Sequence, residues 1–147
     1  MKPEDICSHL GDDYPDHLGA ISPPIYQTSL FTRKTGSSGY SYTRSGNPTT
    51  EVAEKKIAAL EYGSEKAQED GIVARCFSSG MAAITSAIMH HVKAGSHVVA
   101  PNNIYGPARG FLADYLSRFN VSVTFVEGPD LSEIENAIRD ETDLIYL

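Results

Sequence analysis

Four groups of residues have types and spacings that could do chemistry. Tyr42 and Arg44 sit two positions apart in the run YSYTRSGNPTTEVAEKK, Tyr40 to Lys56, just ahead of Asn47-Pro48. Arginine offers a planar fork of donors suited to phosphate, and a tyrosine hydroxyl adds a neutral donor. In CFSSGMAAI, Ser78, Ser79, Gly80 and Met81 stand where an apolar run gives way to helical spacing. A serine cap there leaves first-turn amides and the positive end of a helix dipole facing outward, and glycine lets the backbone approach a ligand closely. That is phosphate-binding chemistry, although a Ser/Gly turn without a ligand has the same local pattern. No GxGxxG and no GKS or GKT is present, so neither a dinucleotide fingerprint nor a P-loop is indicated. Tyr105, in NNIYGPARGF, could lie flat on a planar ligand or donate a proton, or simply pack at a helix start. Arg109 could pair with an anion or occupy a solvated helix position.

These residues need elements to hold them. The first ~45 residues are rich in Gly, Pro, Ser and Tyr without a sustained period, which predicts an extended arm. Pro23-Pro24 excludes a helix there, and Ile25, Tyr26, Leu30 and Phe31 predict that the arm docks on a surface. Asn47-Pro48 reads as N-cap and first helical residue. Val52, Ala53, Ile57 and Leu60 follow at helical spacing, and Gly63 ends the helix. The acidic YGSEKAQED reads as a solvated helix end or linker.

From Gly71 the pattern alternates. Ile72–Phe77 reads as a buried strand, and SSGMAAITSAIMHHVKAG as a helix ending at Gly95 with Ile84, Ala87, Ile88 and Val92 on one face. HVVA is a strand, Phe111, Leu112, Tyr115, Leu116 and Phe119 form a helical stripe, and VSVTFV is a strand. DLSEIENAIRD is a helix capped by Asp130 or Ser132, and LIYL begins a fourth strand. Such alternation predicts right-handed βαβ units and a parallel sheet, whose ligands bind at the carboxyl ends of the strands. This places the Ser79–Met81 turn and Tyr105 on one rim. Leu147 falls inside the last strand, and parallel strands are ordinarily covered on both faces. The expectation is an arm at 1–47 followed by the first part, 48–147, of a larger α/β domain; a short edge strand at 144–147 is the alternative.

Composition narrows the partners. The 147 residues include 12 Lys plus Arg against 19 Asp plus Glu, a formal charge of −7, which argues against bulk nucleic-acid binding. Cys7 and Cys76 have no metal-binding or CxxC spacing. No apolar run approaches the ~18 residues of a membrane span, and the first residues lack a signal-like apolar core. Two free thiols in a cytoplasmic protein is the simplest expectation. Adjacent His90 and His91 point different ways on a helix and make a poor metal pair.

The segments YSYTRSGNPT, SSGMAAI and IYGPARGF, with PPIYQTSLF in the arm, resemble the Cys/Met-metabolism family of pyridoxal-phosphate enzymes from about Ile21 onward. The resemblance implies the large domain of the aspartate-aminotransferase-like fold (fold type I), with pyridoxal 5'-phosphate as cofactor. It implies that Tyr42 and Arg44 reach across a dimer interface to a neighbour's cofactor phosphate, in an oligomer that is usually a tetramer. Gly80 and Met81, with Ser79 beside them, would give amides to the phosphate of their own subunit. Tyr105 would stack on the pyridine ring and handle protons. The implied reaction is cleavage or replacement of a C–S bond in a sulfur amino acid, as in transsulfuration. The run Tyr105-Gly106-Pro107-Ala108-Arg109 is closer to some cystathionine β-lyases than to γ-acting members.

Family chemistry also needs a Schiff-base lysine and an acid on the pyridine nitrogen. Both are expected downstream of Leu147, since Lys2, Lys34, Lys55, Lys56, Lys66 and Lys93 occupy arm or helix positions unlike the family's. The isolated chain is therefore expected to be inactive, with the carboxyl-terminal half as a potential partner. A γ-acting enzyme, or a non-catalytic or split-partner module, is the alternative reading.

Overall fold

The computed structural model describes residues 2–10, 20, 22–32, 39–128 and 130–147. Lys34 and the arm carboxylates Asp12, Asp13 and Asp16 lie outside them. The chain forms two compact units, Met1–Cys76 and Phe77–Leu147.

The first unit is built on helix α2, Pro48–Tyr62. The Asn47 carboxamide accepts the Thr49 amide at 2.8 Å, Pro48 sits in the first turn, and Gly63 closes the helix at φ +82°. A positive φ is natural for glycine and strained for other residues. The buried face of α2 carries Pro48, Val52, Ala58 and Ala59, whereas Ile57 and Leu60 of the expected stripe are exposed. Two short helices, α1 (Pro3–His9) and α3 (Ser64–Glu69), contact α2 instead. Neither was expected, because six or seven residues are too few to display a helical period. Local signals support α1: Pro3 and the acids Glu4 and Asp5 in its first turn, and His9 in its last. Ile6 is buried, and Lys56 Nζ donates to the Cys7 carbonyl at 2.7 Å.

The arm docks, but through its backbone. Tyr26 N–H donates to Thr49 Oγ1 at 2.9 Å, and Asn47 Nδ2 donates to the Tyr26 carbonyl at 3.0 Å. Ile25 and Leu30 remain 74% and 70% exposed, so their burial does not hold it.

The second unit is a three-stranded parallel sheet in the order β2-β1-β3, with β1 His97–Pro101, β2 Ser122–Val126 and β3 Thr142–Ile145. Helix α4 (Gly80–His91) precedes β1. A helical segment running through α5 (Gly106–Gly110), a π-turn (Phe111–Tyr115) and a 3₁₀ turn (Leu116–Phe119) joins β1 to β2. Helix α6 (Leu131–Ala137), capped by Asp130, joins β2 to β3. Side chains alternate across strands, so Val98, Ala100, Val123, Phe125 and Leu144 share one face with Ile88, Leu112 and Leu116 from the helices. Val99 and Val126 face the other way, against Ile134 of α6.

Three strands form where four were expected. Residues 72–77 join no ladder among the described residues. Both sides of β1 are taken, so this segment could pair only at an outer edge. Its backbone is engaged elsewhere in the first unit: Ile72 N–H by the Ala67 carbonyl and Cys76 N–H by Glu54. The α4 helix also ends four residues before Gly95, which instead makes the turn into β1 at φ +92°.

Candidate cofactor site

The candidate site in the second unit lies at the carboxyl ends of the strands. Only residues 92–96 separate α4 from the amino end of β1, and Ile84 and Ile88 pack on the sheet. The helix must therefore run back along the face, bringing its N-terminus to the rim where β1 ends. Ser79 caps it, its hydroxyl accepting the Ala82 amide at 3.1 Å and its carbonyl accepting the Ala83 amide at 3.1 Å. Of the two expected caps, Ser79 rather than Ser78 fills the role. The Gly80 and Met81 amides take no partner among the described residues. A methyl group built on Gly80 would meet nothing within 4 Å, so the cradle in front of these amides is open. Two free amides at the positive end of a twelve-residue helix fit a phosphate group.

Tyr105 stands on the same rim, in the turn between β1 and α5, and is 61% exposed. Its carbonyl accepts the Arg109 amide at 3.0 Å, which fixes the backbone, while the ring is presented to solvent. An exposed aromatic ring on the same rim as two free amides fits a planar phosphorylated ligand. Ser79, Gly80, Met81 and Tyr105 thus come to one rim.

Tyr42 and Arg44 belong to the first unit. Their turn is tied to the arm by an antiparallel bridge between Leu30 and Tyr42, with Phe31 N–H on the Ser41 carbonyl and Thr43 N–H on the Ser29 carbonyl, both 3.0 Å. The Arg44 guanidinium lies 4.5 Å from the Tyr42 ring centroid and has no carboxylate partner among the described residues. Such stacking contributes about 0.5–1 kcal/mol at an exposed site and leaves the planar edge of the fork available to an anion.

Two features of the second unit escaped the sequence reading. Arg109 is not a loose solvated side chain: its Nε donates to Asn102 Oδ1 at 3.0 Å, and its guanidinium lies 4.7 Å from the Phe125 ring centroid. His97, at the opposite end of the sheet, is 1% exposed and bridges three strands. Its Nδ1 lies 2.7 Å from Thr142 Oγ1 and its Nε2 lies 2.8 Å from Thr124 Oγ1. Burial, and then the Arg139 charge, hold the imidazole below its ordinary pKa, with Glu141 opposing. The signal available for His97 was a polar residue opening an apolar run; its threonine partners lie 27 and 45 positions away. Lys93, the one lysine of residues 77–147, lies between α4 and β1, at that same far end.

His90 and His91 are exposed and stack edge-on, with ring centroids 5.2 Å apart. Among the described residues no group of three or more His, Cys, Asp or Glu could hold a metal ion, and no helix is long and apolar enough to cross a membrane. Cys7 and Cys76 are free and exposed.

A family model described as Cys/Met metabolism PLP-dependent enzyme matches residues 5–147. L-methionine gamma-lyase of Fusobacterium nucleatum subsp. nucleatum is 43% identical over 139 residues, covering 88% of this chain and 33% of that protein. The crystal structure of MetB from Corynebacterium glutamicum superposes with a TM-score of 0.84 at 31% identity, over 100% of this chain and 37% of that one. A putative O-acetylhomoserine (thiol)-lyase, MetY, from Campylobacter jejuni superposes with a TM-score of 0.83 at 25% identity, over 100% of this chain and 36% of that one. That structure carries N'-pyridoxyl-lysine-5'-monophosphate. The chain spans about a third of the length of these relatives.

Proposed function

The chain belongs to the Cys/Met metabolism PLP-dependent enzymes, and from that membership we propose that it forms the phosphate-binding and ring-facing part of the cofactor site in an enzyme that cleaves C–S bonds of sulfur amino acids. One observation carries this reading: the free Gly80 and Met81 amides lie on the same rim as the exposed Tyr105 ring. In it, Gly80 and Met81 hold the phosphate of pyridoxal 5'-phosphate, and Ser79 keeps their turn in place. Tyr105 lies against the pyridine ring and holds or passes a proton through its hydroxyl. Tyr42 and Arg44 grip the phosphate of a second subunit, so the working assembly is a homo-oligomer of at least two chains. When bound, the cofactor supplies an electron sink for charge developing on the substrate carbon. Lys93, at the opposite edge, is not assigned as the lysine to which the cofactor attaches.

The Tyr105–Arg109 run supports β-elimination as the reaction. A second reading, γ-elimination, is supported by the relative named L-methionine gamma-lyase. Products separate them in the protein that carries this chain: pyruvate from cystathionine supports the first, and 2-oxobutyrate from methionine supports the second. The cofactor assignment has its own test, because Gly80→Ala adds a methyl group at this turn without meeting other atoms of the chain. Titration with pyridoxal 5'-phosphate, followed by absorbance, should show binding weakened by roughly tenfold, as expected where an added methyl keeps the phosphate from close approach to the amides. Equal affinity in Gly80→Ala and the parent would overturn the assignment.

A further inference from the structure

The turn that carries Tyr105 is bridged at its base. Asn102, the first residue past β1, donates its amide to the Val126 carbonyl at 2.7 Å, extending the ladder beyond the strand. Its carboxamide is used at both ends: Oδ1 accepts Arg109 Nε at 3.0 Å, and Nδ2 donates to Glu127 Oε1 at 3.2 Å. The Glu127 amide in turn donates to Glu133 Oε2 of α6 at 3.1 Å. Arg109, in the first turn after Tyr105, lies over the Phe125 ring of β2 at 4.7 Å. Asn102 and Arg109 therefore close the turn 102–109 from both sides and fasten it to β2. Tyr105 is an exposed residue near its middle. One of the five guanidinium N–H donors and one face of the group are thereby committed to the fold.

We propose that Asn102 and Arg109 are positioning residues for Tyr105, their bridge setting the direction of its ring toward the cofactor. This rests on the role given to Tyr105 above. A planar guanidinium is needed because it bonds through its edge while covering Phe125 with its face, which a lysine ammonium cannot do.

Two measurements test it. The first is ¹⁵N relaxation at residues 103–106 of the ligand-free chain, in the parent, Asn102→Ala, Arg109→Ala and Arg109→Lys. The bridge predicts that backbone order falls from about 0.85 toward about 0.6 in both alanine variants, and by less in Arg109→Lys. Unchanged order in folded Asn102→Ala and Arg109→Ala would overturn the proposal whatever Tyr105 does. The second is a double-mutant cycle on kcat in the cofactor-loaded protein that carries this chain, pairing Arg109→Ala with Tyr105→Phe. Arg109→Ala should lower kcat about tenfold alone, with KM little changed, and less than about twofold in the Tyr105→Phe background. Additive effects would overturn the proposal while leaving the role of Tyr105 intact. A Tyr105→Phe protein with unchanged kcat and cofactor affinity would overturn the role of Tyr105, and this use of the bridge with it.

Discussion

At the amino ends of the three strands, Ser96 and His97 are buried and paired; at the carboxyl ends, Asn102 and Arg109 pair with each other while the Gly80 and Met81 amides and the Tyr105 ring are left open. His97 is enclosed between Thr124 and Thr142, and Arg139 reaches both threonines, through Nη2 at 3.0 Å and its amide at 2.8 Å. Ser96 donates to Asp143 at 2.6 Å and accepts the Lys93 amide at 2.9 Å. Opposite this, the Gly80 and Met81 amides have no partner among the described residues, and Tyr105 faces solvent. The same short sheet holds itself together at one end and presents binding groups at the other. Buried polar groups must find partners within the fold, whereas groups meant for a ligand must be left without them.

Donor arithmetic sharpens the contrast. Each threonine oxygen accepts one N–H from Arg139. A neutral imidazole donates to one threonine and accepts from the other, so one of the two hydroxyl protons finds its acceptor on the ring. A protonated ring would donate to both, leave neither hydroxyl proton an acceptor on the ring, and put a second cation beside Arg139. The amino edge is therefore matched to neutral His97.

The largest expected effect is at that edge. His97→Ala opens a cavity and strands two threonines, so stability should fall by about 2–4 kcal/mol in urea unfolding. A loss below about 1 kcal/mol would mean that the network contributes little. Next is pH. The folded pKa of His97 is depressed, so the unfolded chain takes up the proton first as pH falls below about 6.5. Stability should decline from there downward until the folded-state pKa is reached, and His97→Ala should flatten that part of the curve. A curve of the same shape in both proteins would contradict this.

At the carboxyl edge the effects on folding should be smaller. Ser79→Ala removes the α4 cap and should cost about 1 kcal/mol by thermal unfolding. Gly80→Ala should leave stability within about 1 kcal/mol of the parent, or raise it, because the added methyl meets nothing and the unfolded chain loses freedom. If Gly80→Ala destabilised the fold as much as His97→Ala, the division between the two edges would fail.

Local features were legible in the sequence where a few neighbouring residues decide the outcome. The Asn47-Pro48 start, the Gly63 stop, the Ser79 cap and the Asp130 cap each depend on backbone groups within three or four positions; the first two were readable outright, and the caps as one of two candidates, Ser78 or Ser79 and Asp130 or Ser132. The parallel sheet followed from alternation. Pairing was not readable: Ile72–Phe77 has strand composition, yet a strand needs a neighbour, and its amides went to Ala67 and Glu54. The stripe on α2 was only partly placed: Val52 is buried, but Ile57 and Leu60 are exposed and Ala58 and Ala59 are buried instead, in a unit where α2 contacts the short helices α1 and α3 that periodicity cannot detect. At the site, Ser79, Gly80, Met81 and Tyr105 were visible as residue types suited to a phosphate and a ring. Asn102, Arg109 and His97 were not, because their roles come from partners across strands.

The central claim is that the carboxyl rim, not the amino edge, receives the cofactor. Amide-resolved ¹H–¹⁵N titration of the chain with pyridoxal 5'-phosphate tests it most directly. The account predicts saturable shifts at Gly80, Met81 and the Tyr105 turn, little change at Ser96, His97 and Thr142, and loss of the response in Gly80→Ala. Shifts centred on Lys93 and the His97 edge, or an undiminished response in Gly80→Ala, would contradict it.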